Sequence, residues 1–284
     1  MSTIADLLGE ARGAGLPMLE ARMLLEHVCG HSKTRQMAAP ETVLDTAQIA
    51  QLRDLLGRRA AGEPLAYLIG YREFFSLRFE VSPAVLIPRP ETELLVELAL
   101  ERLPPDRPVR ALDMGTGSGI IPVTLKLQRP QLDMVAVDIS PDALNIARRN
   151  AQRLGADIDL RHSDWYDALA QQSFALIVSN PPYIAAGDRH LAEGDLRYEP
   201  QQALSDGADG LQHIRRIIDG AAAHLEAGGW LLFEHGYDQG AASRDLLTAA
   251  GFTSVRSWLD LAGIERVSGG QHQALLSADA GATR

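Results

Sequence analysis

Residues 1–72 keep their apolar side chains at helical spacing. Ile4, Leu7, Leu8 and Ala11 form one stripe, Ala21, Leu24, Leu25 and Val28 a second, and Leu52, Leu55 and Leu56 a third. Gly30, Pro40 and Gly62-Glu63-Pro64 punctuate these stripes, so the pattern predicts a small all-helical bundle. Around Tyr71 the rhythm changes. Phe74 to Val81 turns to apolar–polar alternation in its second half, which predicts a β-hairpin linker over 73–88. Pro90 suits a first helical turn and acidic residues follow it, as the helix dipole favours, so a helix is expected through about Leu103. From Val109 onward short apolar runs alternate with amphipathic stretches. Strands are expected at 109–114, 132–138, 157–161, 173–179 and 229–235, which implies a mostly parallel sheet with helices on both faces. The tail, at 253–258, 265–267 and 273–276, adds short strands that end as an antiparallel edge hairpin, with Gly269-Gly270 read as its turn.

Composition narrows the class of protein. The 284-residue chain carries a formal net charge of −10, so indiscriminate binding to phosphate backbones is not expected, although a local basic patch around Arg148, Arg149 and Arg153 stays open. Cys29 is the only cysteine, which leaves neither an internal disulfide nor a cysteine-based metal cluster. His27 and His31 have metal-ligand spacing but no carboxylate or thiol cluster beside them, and they read as ordinary helix residues. The start of the chain lacks a basic, then apolar, leader pattern, and no apolar run approaches the roughly eighteen residues of a membrane span. A cytoplasmic location is the default expectation.

Chemistry concentrates where the expected parallel strands end, the place where open α/β sheets bind ligands. Asp113-Met114-Gly115-Thr116-Gly117-Ser118-Gly119 closes the first of these strands and opens a helix. Its G-x-G-x-G spacing is neither the dinucleotide fingerprint nor a phosphate-binding P-loop. Asp113 would repel a pyrophosphate and suits a ligand bearing an ammonium or sulfonium charge. Asp138 ends the second strand, where a carboxylate can accept two ribose hydroxyls or merely cap a helix, a task Ser140 could perform instead. After the third strand, Trp165 follows Asp164 and can either stack on an adenine or close the core. Asn180-Pro181-Pro182-Tyr183 follows the fourth strand. The prolines stop the strand, and the Asn180 side-chain oxygen with the Pro181 carbonyl can accept both hydrogens of a planar –NH₂ group. The Tyr183 ring is then available to lie against its flat face.

This ordered set resembles the class I S-adenosylmethionine-dependent methyltransferases that carry an Asn-Pro-Pro-Tyr motif. The helical N-terminus, the linker, Ile87-Pro88-Arg89-Pro90-Glu91-Thr92-Glu93, Tyr198-Glu199-Pro200 and Asp260-Leu261-Ala262-Gly263 are similar to the HemK/PrmC family of peptide chain release factor glutamine methyltransferases. Ile264-Glu265 departs from the Arg-Asp more frequent there. The resemblance implies a Rossmann-like α/β methyltransferase domain over 89–279 behind a substrate-recognising bundle over 1–72. It implies that Asp113, Gly115, Thr116, Gly117, Ser118, Gly119, Asp138, Trp165 and Asn180 bind S-adenosylmethionine, and that Asn180, Pro181, Pro182 and Tyr183 hold the substrate glutamine, with Asn180, Pro181 and Tyr183 catalytic. It assigns Arg89 and Thr92 no firm role. The implied partner is a release factor carrying Gly-Gly-Gln; no direct nucleic-acid binding and no membrane partner are expected, and the sequence does not fix the oligomeric state, for which a monomer is the default. Alternatives are a ribosomal-protein glutamine methyltransferase, an enzyme acting on adenine or cytosine amino groups, and a non-catalytic nucleoside-binding module. The chain's own Gly269-Gly270-Gln271 raises self-methylation, for which a hairpin turn is the plainer explanation.

Overall fold

The computed structural model of the chain describes residues 2–273. Five helices come first: α1 (Ile4–Gly13), α2 (Met18–Cys29), α3 (Lys33–Ala38), α4 (Thr46–Ala60) and α5 (Leu65–Ile69). Thr3 and Asp6 cap α1 reciprocally, Asp45 and Gln48 do the same for α4, and Gly30 ends α2 in the left-handed region at φ 69°. The apolar stripes meet as predicted, with Ile4, Leu7, Leu24, Leu25 and Leu52 almost fully buried against one another.

The hairpin β1 (Tyr71–Phe74) and β2 (Leu77–Glu80) begins slightly earlier than the linker expected at 73–88. Phe75 and Ser76 turn it, both at positive φ as a tight two-residue hairpin requires. It is no loose tether: Phe74 and Phe79 are buried with Leu95 and Ala99 of the next helix, α6 (Thr92–Arg102).

The chain then alternates through β3 (Arg110–Met114), α7 (Ile120–Gln128), β4 (Asp133–Asp138), α8 (Pro141–Leu154), β5 (Asp159–His162) and β6 (Phe174–Ser179). Two 3₁₀ turns, at Arg189–Ala192 and Gly194–Tyr198, lead to α9 (Gln201–Leu204), α10 (Gln212–His224), β7 (Leu225–Glu234), α11 (Gly240–Ala249), β8 (Thr253–Leu259) and β9 (Glu265–Gln271). The seven-stranded sheet runs β5-β4-β3-β6-β7-β9-β8, parallel from β5 to β7, with β9 antiparallel to both of its neighbours. One apolar layer faces α6 and α7, and the other faces α10 and α11. The order reverses between β3 and β6, so the strand ends around β3, β4 and β6 open onto a crevice.

The tail corrects one expectation. Gly269 and Gly270 are not a turn; they lie inside β9, paired with Leu232 and Leu231. A Cβ on Gly269 would sit 2.4 Å from the Leu231 carbonyl oxygen, and one on Gly270 would sit 2.9 Å from the Phe252 Cβ. The glycines are there because β9 is wedged between β7 and β8 with no room for side chains. Gln271 pairs with Trp230, four residues before the end of β7, hence roughly 13 Å along the strand from the crevice. That placement removes the geometric basis for self-methylation. Most of the strand expected at 273–276 lies outside the described residues.

Candidate active site

Backbone builds the first half of the crevice. Gly115, Gly117 and Gly119 all have positive φ, 72°, 55° and 81°, which lets the chain reverse sharply from β3 into α7. The turn is stitched to β4 by the Gly115 and Thr116 N–H groups, both donated to the Val137 carbonyl at 2.9 and 3.0 Å. A Cβ on Gly115 or Gly117 would meet no atom, so their faces look into open space. Gly119 differs: its Cβ would press on Ala147 of α8 at 3.2 Å, and it is absent from the cavity wall. Gly115, Thr116, Gly117 and Ser118 line the cavity.

Asp138 accepts the Gly117 N–H on Oδ2 and the Ser140 N–H on Oδ1, both at 2.8 Å. It does not cap α8; Ser140 does, accepting the Ala143 N–H. Burial raises the Asp138 pKa even against these N–H groups. A carboxylate has about four acceptor positions, so two remain for a ligand's hydroxyls. Asp113 is placed otherwise. It is fully buried behind the turn, off the cavity wall, and neither carboxyl oxygen makes a hydrogen bond of normal geometry. Burial pushes its carboxyl up to about 7, helped by Asp138 and opposed by the Thr116 hydroxyl.

Trp165 both packs against the core and lines the cavity. Its φ of 52° is held by the Ser163 hydroxyl, which donates to the Trp165 carbonyl. Its ring packs on the core that α10 covers, with its centroid 5.2 Å from that of the His213 ring, and both residues line the cavity.

Side chains from distant segments build the second half. Asn180 leaves the end of β6 and lines the cavity with Pro182, while Pro181 is buried. The Asn180 Nδ2 donates to Thr92 Oγ1 at 3.1 Å, and Thr92 Oγ1 donates to Glu234 Oε2 at 2.7 Å. The Tyr183 hydroxyl donates to Glu234 Oε1 at 3.2 Å. Tyr183 is thus turned toward Glu234 and is absent from the cavity wall; its phenol pKa is raised by burial and by that carboxylate. Glu234 ends β7, beside the end of β6, and burial pushes its carboxyl up to about 7 against both hydrogen bonds. Arg89 forms an ion pair with the buried Glu199, whose other oxygen accepts the Ile87 N–H at 2.9 Å. This pins residues 86–89 to the segment after Tyr198 as one wall. The same segment reaches the bundle, where Arg197 and the Tyr198 hydroxyl both donate to the Ala61 carbonyl.

Of the residues named from sequence, the structure gathers Gly115, Thr116, Gly117, Ser118, Asp138, Trp165, Asn180 and Pro182 on one cavity. Asp113, Gly119, Pro181 and Tyr183 stand behind it. Sequence reasoning missed His213 and Glu234, and it left Thr92, Arg89 and the Glu199 of the Tyr198-Glu199-Pro200 motif without a role. Glu234 did carry a signal, an acid at the end of an expected strand, the same position that drew attention to Asp138.

A sheet of this order, with a glycine turn and an acid at successive strand ends, fits the methyltransferase class, and the family matches establish it. The family described as "Methyltransferase small domain" matches residues 91–197, and "PrmC N-terminal domain" matches residues 4–70. A solved 16S rRNA methyltransferase of T. Thermophilus in complex with AdoMet and guanosine shares the fold, with a TM-score of 0.53, 22% identity, and coverage of 72% of this chain and 50% of that one. The release factor glutamine methyltransferase of Bordetella pertussis is 52% identical, over 95% of this chain and 99% of its own. That of Burkholderia pseudomallei is 51% identical, over 95% and 96%. The chain belongs to the release factor glutamine methyltransferase family. Among the described residues no helix is long and apolar enough to cross a membrane.

Proposed function

We propose that this chain transfers a methyl group from S-adenosylmethionine to the side-chain amide nitrogen of the glutamine in the Gly-Gly-Gln motif of peptide chain release factors. The observation that carries this reading is the meeting of Asn180 and Pro182 with the glycine turn and Asp138 on one cavity. The open faces of Gly115 and Gly117 leave room for a ligand against the backbone, and the spare acceptor positions of Asp138 fit a ribose. Trp165 and His213 offer flat apolar surface for a base. When bound, S-adenosylmethionine supplies a methyl group on a cationic sulfur that is already strongly electrophilic.

The protein's task lies with the other partner. An amide nitrogen is a poor nucleophile because its lone pair is delocalised into the carbonyl. The Asn180 side-chain oxygen accepts one of its hydrogens, aims the nitrogen, and stabilises the positive charge that grows on it. The Pro181 carbonyl, behind the wall in this structure, would accept the second only by coming forward as the acceptor binds. No side chain has to remove a proton before the nitrogen–carbon bond forms and the sulfur–methyl bond breaks to a neutral thioether; the nitrogen becomes acidic only as it is alkylated, and its proton then passes to water. Tyr183, held on Glu234, keeps the turn in place. The helical bundle is joined to the cavity wall through Arg197 and Tyr198, which supports a role for it in receiving the protein substrate.

The test is parallel incubation of purified release factor, ribosomal protein and DNA with labelled S-adenosylmethionine. Label on the release factor glutamine is the expected result; label on ribosomal protein alone or DNA alone would overturn the reading.

A further inference from the structure

An asparagine amide is two-faced, with an acceptor oxygen on one side and a donor –NH₂ on the other. Only one orientation of Asn180 can accept a hydrogen from a substrate amide, and nothing in Asn180 itself chooses it. Thr92 alone does not choose it either, because a hydroxyl can donate or accept. The choice is made one residue further back. Glu234 as a carboxylate can only accept, and the Thr92 hydroxyl lies 2.7 Å from its Oε2. The single Thr92 proton is therefore committed, and Thr92 has only lone pairs to offer Asn180. The phenol of Tyr183 occupies the other carboxylate oxygen. Thr92 is fully buried and Glu234 only 1% exposed, so water does not compete for either group.

We infer that Glu234 is a positioning residue: acting through Thr92, it fixes the Asn180 amide with Nδ2 inward and Oδ1 toward the acceptor. Donation runs one way, from Asn180 to Thr92 to Glu234. Without the carboxylate the amide is free to turn its –NH₂ to the cavity, where it would meet the substrate –NH₂ donor to donor. Such a reversed amide would welcome a carboxylate, so the relay also favours glutamine over glutamate. This inference rests on the reading that Asn180 holds the acceptor amide.

Thr92→Val keeps the buried shape and removes the hydroxyl; Thr92→Ser keeps the hydroxyl. Assayed above the pH at which Glu234 takes up a proton, Thr92→Val should lower the single-turnover rate by about tenfold or more, the scale of one lost hydrogen bond. Its affinity for S-adenosylmethionine should stay near wild type, and Thr92→Ser should recover most of the rate. A peptide with glutamate in place of the substrate glutamine should inhibit Thr92→Val more strongly than wild type, an effect that mere loosening of the fold would not produce. Glu234→Met, an apolar replacement of similar size, should show the same pattern and serves if Thr92→Val does not fold. Wild-type turnover in Thr92→Val, or a Thr92→Ser as slow as Thr92→Val, would overturn the relay. Wild-type turnover in Asn180→Ala would instead overturn the reading on which it rests.

Discussion

The two halves of the cavity are built by different means. On the glycine side the backbone does the work: Gly115 and Thr116 hang from the Val137 carbonyl, and Asp138 is held by the N–H groups of Gly117 and Ser140. Asp138 reaches back only 21 residues to Gly117, one strand–helix–strand step. On the asparagine side the contacts are between side chains: Asn180 to Thr92 spans 88 residues, Thr92 to Glu234 spans 142, and Tyr183 to Glu234 spans 51. Both sides bury an acid whose carboxyl is pushed up to about 7, yet Asp113 has no hydrogen bond of normal geometry and Glu234 has two donors. A half built of backbone can shape space for a ligand common to many methyltransferases. A half built of side chains can choose which atom faces the acceptor.

If the division is real, substitutions on the two sides should split cleanly between cofactor binding and turnover. The largest effect is expected for Asn180→Ala, which should cut single-turnover methyl transfer by about 10²–10³-fold, the usual scale for one positioned group. Calorimetry should find its cofactor affinity changed by less than about threefold. Asp138→Ala should do the reverse, weakening cofactor binding by about 10–100-fold, as expected for hydrogen bonds to a charged group. A Gly117→Ala variant must hold an alanine at φ 55°, at a cost of about 1–2 kcal/mol. Its thermal midpoint should fall by only a few degrees.

A further contrast concerns Asp113. Its carboxyl titrates at about 7 in the folded protein, against an ordinary value of 3.8. A raised carboxyl pKa means that the folded state holds the proton more tightly. The stabilisation is complete below the unfolded value and is lost as pH rises through about 7. Asp113→Asn cannot titrate there, so the difference in its thermal midpoint between acidic and mildly alkaline buffer should be smaller than in wild type. An unchanged difference would place the acid in a more solvated setting.

The same division explains what could be read in advance. The bundle, the parallel sheet and the glycine turn follow from spacing within short windows, so Leu24, Leu52, Gly117 and Asp138 were legible. The Asn-Pro-Pro-Tyr turn was legible as a grip for an amino group, but its support was not. No local pattern ties Thr92 to Glu234, and the packing of α6 against the end of β7 that brings them together is a tertiary fact. Tyr183 shows the same limit: its ring was expected on the substrate, and the fold turns its hydroxyl to Glu234. Gly269-Gly270 was misread because a glycine pair usually marks a turn, whereas here it relieves crowding in a strand placed between two others.

The central claim is that Asn180 presents a release-factor glutamine for methylation. Its most direct test is peptide mass spectrometry of a release factor after incubation with S-adenosylmethionine and either wild type or Asn180→Ala. One added methyl group on the Gly-Gly-Gln glutamine is expected with wild type and almost none with the variant. An unmodified glutamine with the wild-type enzyme, or equal modification by both, would contradict it.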